Sequence, residues 1–286
     1  MADKVVYSPL CYVGSKRWLV RKLVAILPEN TTEIVSPFFG GGSLELNLAL
    51  RGVHVHGYDK FPPVVNFWQH WLRSTSKIVA DANATLNLYS HAELQRLKKQ
   101  RYPEICYSGE IGATLYYVFN RLSFVGTPSN HVRDFRLRFD GHYIRDWEDR
   151  KNGRRVFVNT EYWEACPKLP ISVEHRDFKE SLAKHTDIFA FLDPPYPNLS
   201  TRLYGDSREY HQDFDHIGLY EILKRREKWG CCYNDVPFVR DLYSDFQMIP
   251  VQRPGDSWGK NKDELLIVSH DIAEGVFSRY MQPSLF

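Results

Sequence analysis

Apolar and polar residues alternate through Val53-His54-Val55-His56-Gly57-Tyr58, and Asp59 follows at the tip. A period of two is the pattern of a half-buried strand. Upstream, Glu33-Ile34-Val35 reads as a shorter strand that runs into Pro37-Phe38-Phe39-Gly40-Gly41-Gly42-Ser43. The positions Leu44, Leu46, Leu48 and Leu50 predict a helix after that loop, with Gly52 marking its end. Before all of this, Ser15 to Leu27 places Trp18, Leu19, Leu23, Ile26 and Leu27 near one helical face, and Pro28 closes it. Strand, glycine loop, helix, strand and acid make the first half of a doubly wound nucleotide-binding fold.

The α/β rhythm lapses between about Phe61 and Phe157. Helical stretches occur there at Ala92 to Arg101 and Gly112 to Arg121, followed by an irregular stretch rich in arginine and aromatic residues. It returns with Ile171-Ser172-Val173 and with the apolar run Ile188 to Leu192, which reads as a buried parallel strand. A helix is expected over Ile217 to Trp229. Gln247 to Val251 and Leu265 to Val268 read as two strands joined by a glycine-rich turn. The pattern divides the chain into a discontinuous catalytic domain, 1–61 with 157–275, a mainly helical insert, 62–156, and a tail, 276–286.

Composition adds limits. The 286 residues suffice for one large α/β domain with an inserted module. No apolar run approaches the ~20 residues of a membrane span. No signal-peptide pattern opens the chain, and its five cysteines show no metal-like spacing, so a reducing cytoplasm is the expected setting. A net charge of +2 does not by itself indicate a polyanionic partner.

The chemistry concentrates at Asp193-Pro194-Pro195-Tyr196, directly after the buried run. Ligands of open α/β sheets bind outside the carboxyl ends of strands. A carboxylate, two rigid prolines and an aromatic ring there can hold a planar base that carries an amino group. The glycine loop offers bare backbone and a helix N-terminus, and Asp59 can accept hydrogen bonds from a ribose diol. A nicotinamide dehydrogenase shares part of this layout, but the glycines do not follow G-x-G-x-x-G and a dehydrogenase has no use for the tetrapeptide.

Tyr12-Val13-Gly14-Ser15-Lys16, Pro37 to Ser43, Asp59 and Asp193 to Tyr196 occur in the order found in the Dam-like adenine-specific DNA methyltransferases, which the chain resembles over nearly its whole length. Asn120-Arg121 and Asp263-Glu264-Leu265-Leu266 also resemble that family. The resemblance implies a Rossmann-like methyltransferase sheet and transfer of a methyl group from S-adenosylmethionine to N6 of a flipped-out adenine in duplex DNA. Tyr12, Gly14 and Lys16 would flank the methionine end of the cofactor, with Phe38, Gly40, Gly42 and Ser43 forming the loop under it. Asp59 would hold the ribose, and Asp177 and Phe178 would meet the adenine. Asp193, Pro194, Pro195 and Tyr196 would be catalytic. Relatives usually carry an acid just before the Pro-Phe of the glycine loop, where this chain has Ser36.

In the insert, Asn120, Arg121, Thr127, Ser129, Arg133, Arg136 and Arg138 are the expected DNA contacts, since arginine clamps phosphates or reads guanine. The stretch Pro197 to Phe214 is a candidate loop closing on the base. Gln282, Leu285 and Phe286 end the chain in a peptide that resembles those with which bacterial proteins bind the DNA sliding clamp. RNA or cytosine as substrate, or a silent DNA-binding relative, are the alternative readings.

Overall fold

The computed structural model describes residues 5–12, 14–102, 104–122, 168–197, 214–253 and 262–274. The expected contacts at Thr127, Ser129, Arg133, Arg136 and Arg138, residues 198–213 of the candidate loop Pro197 to Phe214, and the tail with Gln282, Leu285 and Phe286 lie outside the described residues.

Seven strands form one sheet: β1 (Glu33–Ser36), β2 (His54–Asp59), β3 (Ile171–His175), β4 (Phe189–Leu192), β5 (Trp229–Asn234), β6 (Gln247–Arg253) and β7 (Lys262–Val268), in the order β3-β2-β1-β4-β5-β7-β6. β1 to β5 run parallel, and β7 is antiparallel to both β5 and β6. Between β1 and β4 the strand order reverses, which is where open α/β sheets leave a crevice for ligands. Four-residue β4 is buried along its whole length, as a strand covered on both faces must be. β6 lies at the sheet edge and carries Pro250, a residue that edges tolerate because the missing donor faces no neighbour.

The helices are α1 (Val20–Ile26), α2 (Ser43–Ala49), α3 (Pro62–Arg73), α4 (Thr75–Leu88), α5 (His91–Arg101), α6 (Gly109–Leu122), α7 (Phe178–Lys184), α8 (His216–Leu223) and α9 (Pro237–Leu242). Two cores flank the sheet. One gathers Leu23 and Ile26 of α1, Leu46 of α2, Phe67, Trp68 and Trp71 of α3, and Tyr117 of α6. The other gathers Leu182 of α7, Leu219 and Leu223 of α8, and Val239 of α9 against Val35, Tyr58 and Leu192. The expected boundary at residue 62 is therefore no break in the core, because α3 packs on the sheet with the catalytic elements.

One expected element differs. The helix placed over Ile217 to Trp229 stops at Leu223, and Trp229 begins β5. The run Trp229 to Tyr233 is fully buried, and a short continuous apolar run shows no period that separates strand from helix. The first helix likewise splits into a 3-10 turn over Lys16–Leu19 and α1.

Candidate active site

The glycine loop leaves β1 and enters α2 at the reversal of strand order. Gly42 has φ +62° and caps α2 from the left-handed region, where only glycine sits without strain. Its neighbour Gly41 is required for space instead. A Cβ there would stand 2.5 Å from Cβ of Tyr12, which lies across the loop. The indole of Trp68 donates to the Gly40 carbonyl at 2.9 Å and fixes the loop from below.

Asp59 ties the loop to the tip of β2. Its Oδ2 accepts from the Gly40 amide at 2.8 Å and its Oδ1 from the Phe61 amide at 2.8 Å. Burial raises its pKa, and these two amides oppose the shift. Each oxygen keeps a second lone pair for a hydroxyl. At the neighbouring tip of β3, Asp177 caps α7 by accepting from the Lys179 amide at 2.9 Å. Phe178 stacks on Phe38 with centroids 5.8 Å apart, and Phe214 meets Phe38 edge-on at 5.6 Å. Sequence reasoning had not singled out Phe214.

The N-terminal segment is drawn into the same site. Ser15 and Ser43 share a hydroxyl hydrogen bond of 2.7 Å, joining the two expected cofactor motifs. Asn47 brackets Val6, and Asn120 brackets Cys11. Asn120 is fully buried. Its Oδ1 accepts from the Cys11 amide at 2.9 Å and its Nδ2 donates to the Cys11 carbonyl at 2.8 Å. Arg121 donates to the Cys11 sulfur at 2.9 Å. This pair, expected at DNA, clamps the segment that carries Tyr12 and Lys16.

Lys16 is the centre of the site. Its buried ammonium donates to the Gly14 carbonyl at 2.8 Å and pairs with Asp193 Oδ1 at 2.8 Å. Glu264 Oε2 lies 3.8 Å away, and the Tyr196 hydroxyl donates to that same oxygen at 2.9 Å. The ammonium also sits 5.0 Å from the Tyr196 ring centroid. Burial works against the Lys16 charge, but the attraction of Asp193 and Glu264 overcomes it and raises the pKa, so the lysine stays protonated. For Asp193, burial pushes the carboxyl above its ordinary value and Lys16 pulls it back. One cation therefore faces two carboxylates in low dielectric.

A third acid stands under the loop. Ser36 donates to Glu45 Oε1 at 2.7 Å, and both are buried. Burial lifts the Glu45 pKa to about 7. Glu45 stands on the first turn of α2, nine residues after Ser36. Nothing in the local sequence marks Glu45, since an acid there reads as an ordinary partner of the helix dipole. Away from the site, Glu33, His54 and His56 bring three metal-type donor atoms within 4.8 Å at the amino ends of β1 and β2.

All four catalytic candidates, and Tyr12, Gly14, Lys16, Phe38, Gly40, Gly42, Ser43, Asp59, Asp177 and Phe178, lie on elements that meet at the carboxyl edge of β1 to β4. No helix among the described residues is long and apolar enough to cross a membrane. A family model described as D12 class N6 adenine-specific DNA methyltransferase matches residues 12–254, from Tyr12 through β6. Among solved structures, a precorrin 8W decarboxylase of Methanobacterium thermoautotrophicum aligns over 93% of this chain and 97% of its own, at 14% identity and a TM-score of 0.36. No curated protein sequence gives a significant match. The family model spans most of the chain and takes in both the glycine loop and Asp193 to Tyr196, so the chain belongs to the D12 class N6 adenine-specific DNA methyltransferases.

Proposed function

We propose that this DNA adenine methyltransferase binds S-adenosylmethionine across the carboxyl ends of β1, β2 and β3 and presents a flipped-out adenine to Asp193. The observation that carries the reading is the side-by-side placement of the glycine loop and Asp193 at the reversal between β1 and β4. The donor set fits the cofactor. Two acids stand at adjacent strand tips, two stacked rings flank them, and the loop backbone is bare. Tyr12, Gly14, Lys16, Ser43 and the loop would hold the methionine end, Asp59 the ribose, and Asp177 with Phe178 the adenine. Bound there, the cofactor supplies a methyl group on a positively charged sulfur.

The amine of adenine is a poor nucleophile because its lone pair is conjugated with the ring. Asp193 and the carbonyl of Pro194 accept its two N–H bonds and draw the nitrogen toward tetrahedral geometry. The Asp193 carboxylate then stabilises the positive charge that develops on nitrogen. Tyr196 stacks on the base, and positioning supplies much of the rate. In duplex DNA the base has to leave the stack to reach this pocket. A protonated Asp193 has lost the negative charge that stabilises the developing cation, so turnover falls as pH drops through its raised pKa.

Arg133, Arg136 and Arg138, with Thr127 and Ser129, would contact the DNA, and their support is the sequence pattern. Gln282, Leu285 and Phe286 would dock on a sliding clamp. Loss of clamp binding on deletion of the last five residues, with methyl transfer on short DNA retained, is the expected outcome.

The reading is tested with unmethylated duplex DNA and labelled S-adenosylmethionine, followed by digestion to nucleosides. Label in N6-methyladenine is the expected result. Label in cytosine, or in RNA alone, would overturn the assignment of substrate.

A further inference from the structure

Glu264 has no task in the chemistry above, yet it is buried in the middle of the site. Its position follows from topology. β7 runs against β5, with Asn234 opposite Glu264, so the beginning of β7 reaches the catalytic edge where its parallel neighbours end. The carboxylate lands beside the tip of β4. Oε2 accepts from Tyr196 and lies 3.8 Å from Lys16 Nζ.

Lys16 occupies Asp193 Oδ1 at 2.8 Å, on the carboxylate that must face the adenine amine. When that amine arrives, the ammonium has to yield some of its hold. A lysine that is 4% exposed cannot turn to water, and stranding a buried charge is strongly unfavourable. The second carboxylate is already within 4 Å. A shift of about an ångström by a flexible side chain exchanges one ion pair for the other.

We propose that Glu264 is a positioning residue that receives Lys16 when adenine claims Asp193, while the same carboxylate oxygen orients the Tyr196 ring. This rests on the reading of Asp193 given above. The carboxylate of Asp193 is also near Tyr196, Glu45, Cys231, Cys232 and Tyr233. Asp193 and Glu264 are the two carboxylates that reach both Lys16 and the Tyr196 hydroxyl, so Glu264 is the one in place to take over the lysine.

The test is the pH profile of single-turnover methyl transfer from labelled cofactor to unmethylated duplex DNA, with cofactor affinity measured in parallel. Glu264→Gln keeps an acceptor for Tyr196 and removes the charge. Its plateau rate should fall on the order of tenfold or more, the scale of supporting residues around a reactive group. Its acid limb should move to lower pH, because a like charge beside Asp193 is gone and Lys16 belongs to Asp193 alone. Cofactor affinity should hold. Glu264→Asp keeps the charge but is one methylene short, so its rate should fall with the acid limb near the wild-type position. It decides the matter if the glutamine variant does not fold.

Wild-type rates in the folded variants would overturn the proposal. A slower Glu264→Gln with an unmoved acid limb would also overturn it, leaving a packing role. Wild-type protein that fails to label adenine would instead overturn the reading of Asp193.

Discussion

The two ends of the central sheet carry charge in opposite ways. At the amino end, Glu33 and His56 pair at 2.8 Å with Glu33 about half exposed, and His54 lies beside them at the surface. At the carboxyl end, Lys16 and Glu264 are each only 4% exposed and Asp193 23%. Water screens the first group, so its pairing contributes little. The second is held where each charge costs desolvation and each contact is strong. Burial of that kind is not required by the fold, since an apolar packing of the same volume is often as stable. It stands at the end where we propose that the chemistry takes place.

Substitutions should separate the two ends sharply. Asp193→Ala is expected to have the largest effect. Loss of one charge-stabilising group aimed at the reacting atom typically lowers turnover about 10²–10³-fold. Single-turnover label transfer measures the loss, and tryptophan fluorescence on addition of S-adenosylmethionine should show binding retained. Undiminished transfer would remove the basis of the comparison.

Gly41→Val comes next. Its Cβ would meet Tyr12 at 2.5 Å, so the N-terminal segment must lift from the loop. Overpacking of this sort costs about 1–3 kcal/mol. Denaturant unfolding should show that loss, and cofactor affinity should fall with it.

Glu45→Gln sharpens the point about buried charge through pH. The folded pKa of Glu45 is about 7, against an ordinary value of 4.5. Between these values the folded protein binds more protons than the unfolded chain, so stability falls as pH rises through that window and is flat above it. The shift corresponds to roughly 3 kcal/mol. Unfolding at pH 5 and pH 8 should show the wild type losing stability on that scale and the glutamine variant losing much less. An equal loss in both would mean that the cost arises elsewhere.

The smallest effect is expected at the amino end. His56→Ala or Glu33→Gln should leave methyl transfer unchanged in the same single-turnover assay. A clear loss of turnover there would show that the two ends are coupled.

The expected strands β1 to β4, β6 and β7 appear because alternation or a buried apolar run marks each of them. β5 was not expected: its first residue, Trp229, closed the expected helix, and five buried residues in a row carry no period. Among the site residues, Lys16 and Asp193 were visible as members of motifs, but their 2.8 Å contact was not, because 177 positions separate them. The contact of Asn120 with Cys11 was hidden for the same reason. Asn-Arg near a helix end reads as a polar contact for DNA, and Cys11, which Asn120 brackets, is 109 residues away.

The sequence by itself determined the order of the motifs, the glycine loop between strand and helix, and the acids at the strand tips. These are local patterns, and backbone sterics with hydrophobic periodicity suffice to read them. Only the tertiary structure decided which charges share one space. The reversal between β1 and β4 brought the loop to Asp193, and the antiparallel course of β7 brought Glu264 to Lys16. Electrostatic energy in a buried site depends on distance and desolvation, and neither is written in the spacing along a chain.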